Sequence, residues 1–338
     1  MARPLLQFIT LLFGASTIIA APVTLVQRQG TFSTLSAPDA DVFKPFTFFA
    51  SAAYCSPDKT KDWSCGTICD ANPNFQPTAS GGDGVDVQFW FVGFDPDLSV
   101  RVFCPIPGLA AELNTQSVVV AHQGTDPSKI VPLLTDADFF PEELDSGLFP
   151  GLSGDIKVHN GFRDSQAETS QDVLAAVQQT MQTHNTSKVM VVGHSLGGAI
   201  GLLNAVFLPL HIPGIDLEMI GYGMPRVGNQ EFADYVDANV KLTRITNKKD
   251  VVPIIPGRFL GFHHPSSEIH IQDDGSFVSC PGQDNTDSRC SVGDAKNVLT
   301  AKVSDHHGPY AGISIDSNCP SLGQIDSVDE DQEVRTQF

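Results

Sequence analysis

The chain of 338 residues predicts an α/β fold, with a mostly parallel central sheet flanked by helices. Three features carry that expectation. Strand-like and helix-like segments alternate through the second half, a pattern that favours a parallel sheet covered on both faces. A glycine-rich turn stands between one such strand and the helix that follows it. No internal repeat or long linker divides the chain, so residues 31–338 read as a single domain.

Residues 1–20 read as a signal peptide: a short basic start at Met1-Ala2-Arg3, an apolar stretch from Leu5 to Ile19, and small residues for cleavage at Ala20-Ala21. That stretch is too short and wrongly flanked for a membrane anchor, and no other apolar run would span a bilayer. Residues 21–30 fit a short pro-segment without a strong processing signal. Phe43 to Tyr54, rich in Phe and Ala, suits an opening helix. Val85–Gly93 and Ser99–Ile106 alternate apolar and polar residues around Asp95-Pro96-Asp97, which predicts a hairpin at the early edge of the sheet. Ser117–Ala121 is a β-branched run. Arg163–His184 carries Val173, Ala176, Val177 and Met181 at helical spacing. Strand then alternates with helix: Lys188–Val192, Leu196–Leu208, Leu217–Tyr222, Gln230–Ala238 and Lys241–Thr246.

The net charge of −19 becomes −20 once Arg3 leaves with the signal peptide. Such a surface is repelled by nucleic acid and anionic membranes, whereas neutral lipid or an uncharged ester stays open as a partner. The acidic stretch Asp326–Glu333 reads as a frayed tail. Seven cysteines in a secreted chain suggest disulfides with one thiol left over. Cys65 and Cys69 can bridge locally, as can Cys280 and Cys290. Cys55 and Cys319 remain near the two ends of the domain, and Cys104, in an apolar run, is the expected free thiol. Cys65 and Cys69 lack a second ligand pair for zinc, and neither histidine doublet has a further ligand at helical spacing, so no metal is expected. Asn185-Thr186-Ser187 is a glycosylation sequon in a polar loop.

The chemistry centres on Gly193-His194-Ser195-Leu196-Gly197. A bare G-x-S-x-G arises easily by chance, but here an apolar strand runs into it and an apolar helix leaves it. That is the setting of a nucleophile elbow, where glycines permit a sharp turn that lifts the serine out of the sheet. Ser195 would sit at the positive end of the helix, with the N–H of Leu196 facing a developing oxyanion. A serine needs a base, and the base an orienting acid, in the chain order Ser, Asp/Glu, His. Asp250 ends a later strand-like run and suits the acid better than Asp216, Asp234 or Asp237. His263, His264, His270, His306 and His307 all follow it, and spacing leaves His306 and His307 undivided as the late-loop pair.

From about Tyr54 to Cys319 the chain resembles the filamentous-fungal (class 3) lipase family of the α/β-hydrolase superfamily. The motifs that carry this are Gln123-Gly124-Thr125, Val158-His159-Asn160-Gly161-Phe162, the elbow, Gly223-Met224-Pro225-Arg226-Val227-Gly228-Asn229, and Asn247 to Pro253. The family's histidine stands three residues before a tyrosine, here Tyr310, so the resemblance selects His307. It implies an oxyanion hole from Thr125 and Leu196, matches Cys55–Cys319 to an end-to-end bridge, and matches Tyr54 to an aromatic lining the acyl pocket. His122-Gln123 replace the usual aromatic and arginine. The segment Asp126–Asp138 replaces a tryptophan-bearing lid with Ile130, Val131, Leu133 and Leu134, apolar residues suited to a flap that opens against lipid.

The expected activity is that of a secreted serine carboxylic-ester hydrolase working through an acyl-enzyme, first of all a triacylglycerol lipase. A feruloyl or other aromatic-acid esterase on the same scaffold is the alternative, and a catalytically silent binding protein is the alternative of another class. No cofactor is expected. The expected partner is a lipid or other ester at an oil–water interface, and the expected state is a monomer.

Overall fold

The computed structural model describes residues 31–103, 110–114, 116–125, 141–316 and 319. The signal peptide and pro-segment, Cys104, the flap residues Ile130, Val131, Leu133 and Leu134, and the acidic tail lie outside the described residues.

Among the described residues, nine strands build the main sheet: β1 (Ser33–Leu35), β2 (Gln76–Gly81), β3 (Trp90–Asp95), β4 (Ser117–His122), β5 (Lys188–His194), β6 (Asp216–Tyr222), β7 (Lys241–Asn247), β8 (Glu268–Ile271) and β9 (Phe277–Cys280). Their spatial order is β1-β9-β8-β7-β6-β5-β4-β3-β2. The five central strands, β4 to β8, pair in parallel. Antiparallel strands close both sides, β3 and β2 beyond β4 and β9 and β1 beyond β8. The principal helices are α1 (Lys44–Ala52), α2 (Asn160–His184), α3 (Leu196–His211) and α4 (Gln230–Asn239).

Burial follows the period of the strands. In β5, Val189 and Val191 enter the core shared with α2 and α3, while Met190 and Val192 enter the opposite core with α1. A strand buried on both faces reads as an unbroken apolar run, which is why Val189-Met190-Val191-Val192 does not alternate. Helix α3 is buried from Leu196 through Leu208, so its sequence is apolar all round. Helix α2 ends at Asn185, which is left-handed at φ 49° and ψ 47° and donates its N–H to Met181. The sequon asparagine is thus an exposed helix cap.

The hairpin expected around Asp95-Pro96-Asp97 does not form. Ser99–Phe103 pairs with Ala110–Asn114 in a separate two-stranded sheet, and β3 pairs with β2 and β4. Two features break the expected pairing. Asp83 Oδ1 accepts the N–H groups of Val85, Asp86 and Val87, winding the first half of the predicted strand into a turn. The true partner, Gln76–Gly81, contains Pro and Gly and carries no strand signature. The three expected disulfides are formed: Cys55–Cys319, Cys65–Cys69 and Cys280–Cys290.

Candidate active site

Ser195 stands between β5 and α3 with φ 58° and ψ −130°, a backbone region costly for a residue with a Cβ. The turn is tight enough that two glycines are obligatory. A Cβ on Gly193 would strike the Gly197 carbonyl, and one on Gly197 would strike the His122 carbonyl at the end of β4. The Ser195 N–H donates to Tyr222 O at 2.9 Å, fixing the elbow to the neighbouring strand β6. Its Oγ is buried and has no hydrogen-bond partner among the described residues.

Asp250 lies three residues past β7 and is buried. Its Oδ1 accepts from the Val252 N–H at 2.9 Å, and its Oδ2 faces His306 Nδ1 at 2.8 Å. The histidine assigned through the tyrosine spacing is therefore corrected: the partner of Asp250 is His306, not His307. His307 directs Nδ1 to Ile315 O at 3.1 Å, with its side chain 33% exposed. The two histidines share the 3-10 turn Ser304–His307, where successive side chains point about 120° apart, so only one of them can reach the acid. Tyr310 stands four residues after His306 and donates its hydroxyl to the His306 carbonyl at 3.1 Å.

A carboxylate can only accept, so His306 Nδ1 carries the proton and Nε2 is left as a lone-pair acceptor. That Nε2 is buried and unpartnered among the described residues, like Ser195 Oγ. Burial holds the His306 imidazole down to about 3, with a smaller contribution from the charge of His307. Burial pushes the Asp250 carboxyl up, against the opposing Val252 hydrogen bond.

Three side chains fix the backbone around His306 through four contacts. His194 bridges from the elbow, with Nε2 2.9 Å from His306 O and Nδ1 2.7 Å from the Tyr54 hydroxyl. The first contact requires an N–H at Nε2, so Nδ1 accepts from Tyr54. Asn247, the last residue of β7, donates Nδ2 to Asp305 O and Gly308 O at 2.8 and 2.9 Å. Tyr310 supplies the fourth contact. None of these roles was legible in the sequence, although His194 and Asn247 both occupy the C-terminal ends of central strands, where α/β folds place their sites.

Tyr54 is buried with its hydroxyl engaged by His194, a setting closer to core packing than to an open acyl pocket. It also backs the loop after β4. A Cβ on Gly124 would collide with the Tyr54 hydroxyl and the His194 carbonyl and come within 3.0 Å of Ser195 Cβ. The half-buried Thr125 follows directly. Leu196 is the first residue of α3, and its N–H has no intrahelical acceptor. The left-handed Gly223, at φ 51°, completes the floor, since a Cβ there would lie 3.0 Å from both Asp250 Oδ2 and His306 Cε1.

Arg226, from the same motif, does structural work. It pairs with Asp284 at 2.8 Å and donates Nη1 to Pro256 O at 3.0 Å, pinning the chain beyond Asp250. His264 and His270 are buried outside the site, bonded to Pro253 O and the Thr246 hydroxyl. His263 is half-buried, 3.5 Å from Asp284. Glu268, Cys280 and Cys290 cluster closely, but both sulfurs are spent in a disulfide and cannot ligate as thiolates.

Comparison with known proteins bears on the family and the fold. Residues 119–260 match the family described as lipase (class 3). The secreted mono- and diacylglycerol lipase MDL2 of Malassezia globosa is 35% identical over 219 residues, covering 64% of this chain and 69% of that protein. MDL4 of the same organism is 33% identical over 288 residues, covering 82% and 85%. Among solved structures, a triacylglycerol lipase whose catalytic centre is a serine protease triad aligns with a TM-score of 0.68 at 27% identity, over 86% of this chain and 100% of that one. The Rhizomucor miehei triacylglyceride lipase aligns with the same TM-score at 26% identity, over 86% and 100%. With its parallel sheet, its elbow and these relatives, the chain has the α/β-hydrolase fold and belongs to the class 3 lipase family.

Proposed function

We propose that the protein is a secreted acylglycerol lipase in which Ser195 is the nucleophile, His306 the base and Asp250 the orienting acid. One observation carries this reading above the rest: Ser195 Oγ and His306 Nε2 are both buried, both lack a partner among the described residues, and belong to segments that His194 ties together. Buried polar atoms are normally satisfied. A nucleophile and its base are a group of exceptions with a reason, because the bond between them tightens when substrate is bound.

The chemistry follows from the geometry. Neutral His306 takes the Ser195 proton at Nε2 as Oγ attacks the ester carbonyl, and Asp250 stabilises the imidazolium through Nδ1–H. The Leu196 N–H, at the positive end of α3, and Thr125 hold the tetrahedral oxyanion. His306 returns the proton to the departing glycerol oxygen, and water then repeats the sequence on the acyl-enzyme.

The resemblance to proteins named as mono- and diacylglycerol lipases and as a triacylglycerol lipase supports a glyceride, rather than a feruloyl ester, as the substrate of this chain. The substrate would be met at an oil–water interface by a monomer, with Asn185 available for glycosylation. Among the described residues no helix is long and apolar enough to cross a membrane. Turnover of emulsified trioleoylglycerol, a dioleoylglycerol and methyl ferulate by the wild type and Ser195→Ala tests the reading. Glyceride turnover lost in the variant is the expected result. Preferred cleavage of methyl ferulate, or full activity of a folded Ser195→Ala, would overturn it.

A further inference from the structure

Resting on that reading, we propose that two loops beside the site, residues 257–261 and 296–303, form a cationic and apolar seat that docks the enzyme on a lipid surface enriched in fatty-acid carboxylates. Five large apolar side chains stand exposed among the described residues, and four belong to these loops: Phe259 at 89%, Leu299 at 92%, Val298 and Val303. Exposed apolar residues are ordinary when scattered, and clustering is what marks an interaction surface.

Both loops are tied to the site by backbone. The Lys302 N–H donates to Lys249 O at 2.7 Å, and Lys302 bridges to Asp250. Val303 leads straight into the turn that carries His306. The other loop leaves Pro256, whose carbonyl Arg226 holds, and turns at Gly257–Gly261 with Phe259 at its tip. Ala301 and Ile254, which precedes the loop at 257–261, both pack against the core shared with α2 and α3.

Charge identifies the occupant. The chain carries 39 acidic against 20 basic residues, yet the exposed ionised side chains of these loops are Arg258, Lys296 and Lys302, with no carboxylate in either loop. Lys248 and Lys249 are half-buried beside them. Of the neighbouring acids, Asp250 is buried against His306, Asp305 accepts the Lys249 N–H, and Asp294, which faces His270, also offsets part of the charge of Lys249 and Lys302. Asp316, exposed, lies 4.0 Å from His307, in the turn that Val303 enters. A neutral oil surface has no use for these cations. The hydrolysis itself supplies what they recognise, since each turnover leaves one ionised fatty acid at the interface. Docking would therefore strengthen as product accumulates.

Binding is best read in the Ser195→Ala background, which separates it from catalysis. Partitioning onto trioleoylglycerol droplets with and without added oleate is compared for that protein, for Lys296→Gln/Lys302→Gln and for Phe259→Ser/Leu299→Ser. Oleate is expected to raise binding of the parent, and each lysine removed should cost about fivefold of that gain at low salt. The apolar pair should cost about tenfold or more on both surfaces. The same substitutions in the active enzyme should leave turnover of a soluble short-chain ester and the melting temperature unchanged. Binding insensitive to oleate, or to the lysines, would overturn the proposal. Tighter binding to phosphatidylglycerol than to oleate at equal surface charge would also overturn it in favour of a phospholipid partner. Absence of soluble-ester turnover in the wild-type enzyme would instead count against the lipase reading.

Discussion

Replacing His306 by alanine, with His307→Ala as its counterpart, separates the two adjacent imidazoles cleanly. His306 is fully buried and makes the 2.8 Å contact with Asp250. On the proposed triad its loss leaves Ser195 without a base, and losses for a missing triad member run to about 10⁴-fold or more in turnover, a barrier rise of about 5.5 kcal/mol or more. His307 is one-third exposed, makes a 3.1 Å contact with Ile315 O and lies 4.0 Å from Asp316. Removing it should cost about 0.5–1 kcal/mol of stability and change turnover on a soluble ester by less than about threefold, since no reacting atom loses a partner. The charge of His307 also holds the His306 imidazole down, so His307→Ala should shift any acidic limb of kcat/KM upward in pH. Initial rates on a soluble ester, with far-UV circular dichroism to check folding, decide the matter. If His307→Ala were the dead enzyme and His306→Ala the active one, the triad assignment would be refuted.

Three further outcomes follow from the same geometry. Gly223→Ala places a Cβ 2.7 Å from the Tyr310 hydroxyl and 3.0 Å from Asp250 Oδ2 at a left-handed position, so it should destabilise by about 1–3 kcal/mol and lower kcat more than it raises KM. Opening Cys55–Cys319, which spans 264 residues, should cost about 5–6 kcal/mol in the chain-entropy model, read as a fall in the denaturant midpoint of Cys55→Ser/Cys319→Ser. Burial depresses His122 and His306 to about 3, His159 to about 4, and His194 and His264 well below 6.5. The unfolded chain binds these protons first, so their stabilisation is complete above pH 6.5 and is lost as pH falls toward 4, by about 1 kcal/mol per imidazole one unit below 6.5. Asp95 and Asp250, pushed up by burial, act in the opposite sense. Denaturation midpoints between pH 7 and 5 should therefore fall, while kcat/KM on a soluble ester stays flat below the usual histidine range.

The sheet's parallel centre was legible because each strand there is buried on both faces, α3 is buried all round, and the other helices bury one face. Period and polarity therefore report directly on Lys188–His194, Leu196–His211 and Asp216–Tyr222. The elbow was legible for a related reason: close backbone approach at Gly193 and Gly197 admits no other residue. The edges were not. Gln76–Gly81 is a strand because β3 needs a partner, and pairing of that kind leaves no mark on one segment's composition.

What the sequence by itself determined is local: the alternation that builds the sheet, the strained turn at Ser195, the acid at the end of β7, and cysteines spaced for three bridges. What only the tertiary structure decided is which of two neighbouring histidines meets that acid. Spacing to Tyr310 points to His307, yet the turn from Ser304 to His307, held by His194, Asn247 and Tyr310, directs His306 inward to Asp250. Consecutive residues on a 3-10 turn face different ways, and the direction each one faces is set by contacts 58 and 112 positions away in the chain. Information of that range lies in the packing and not in the order of the residues.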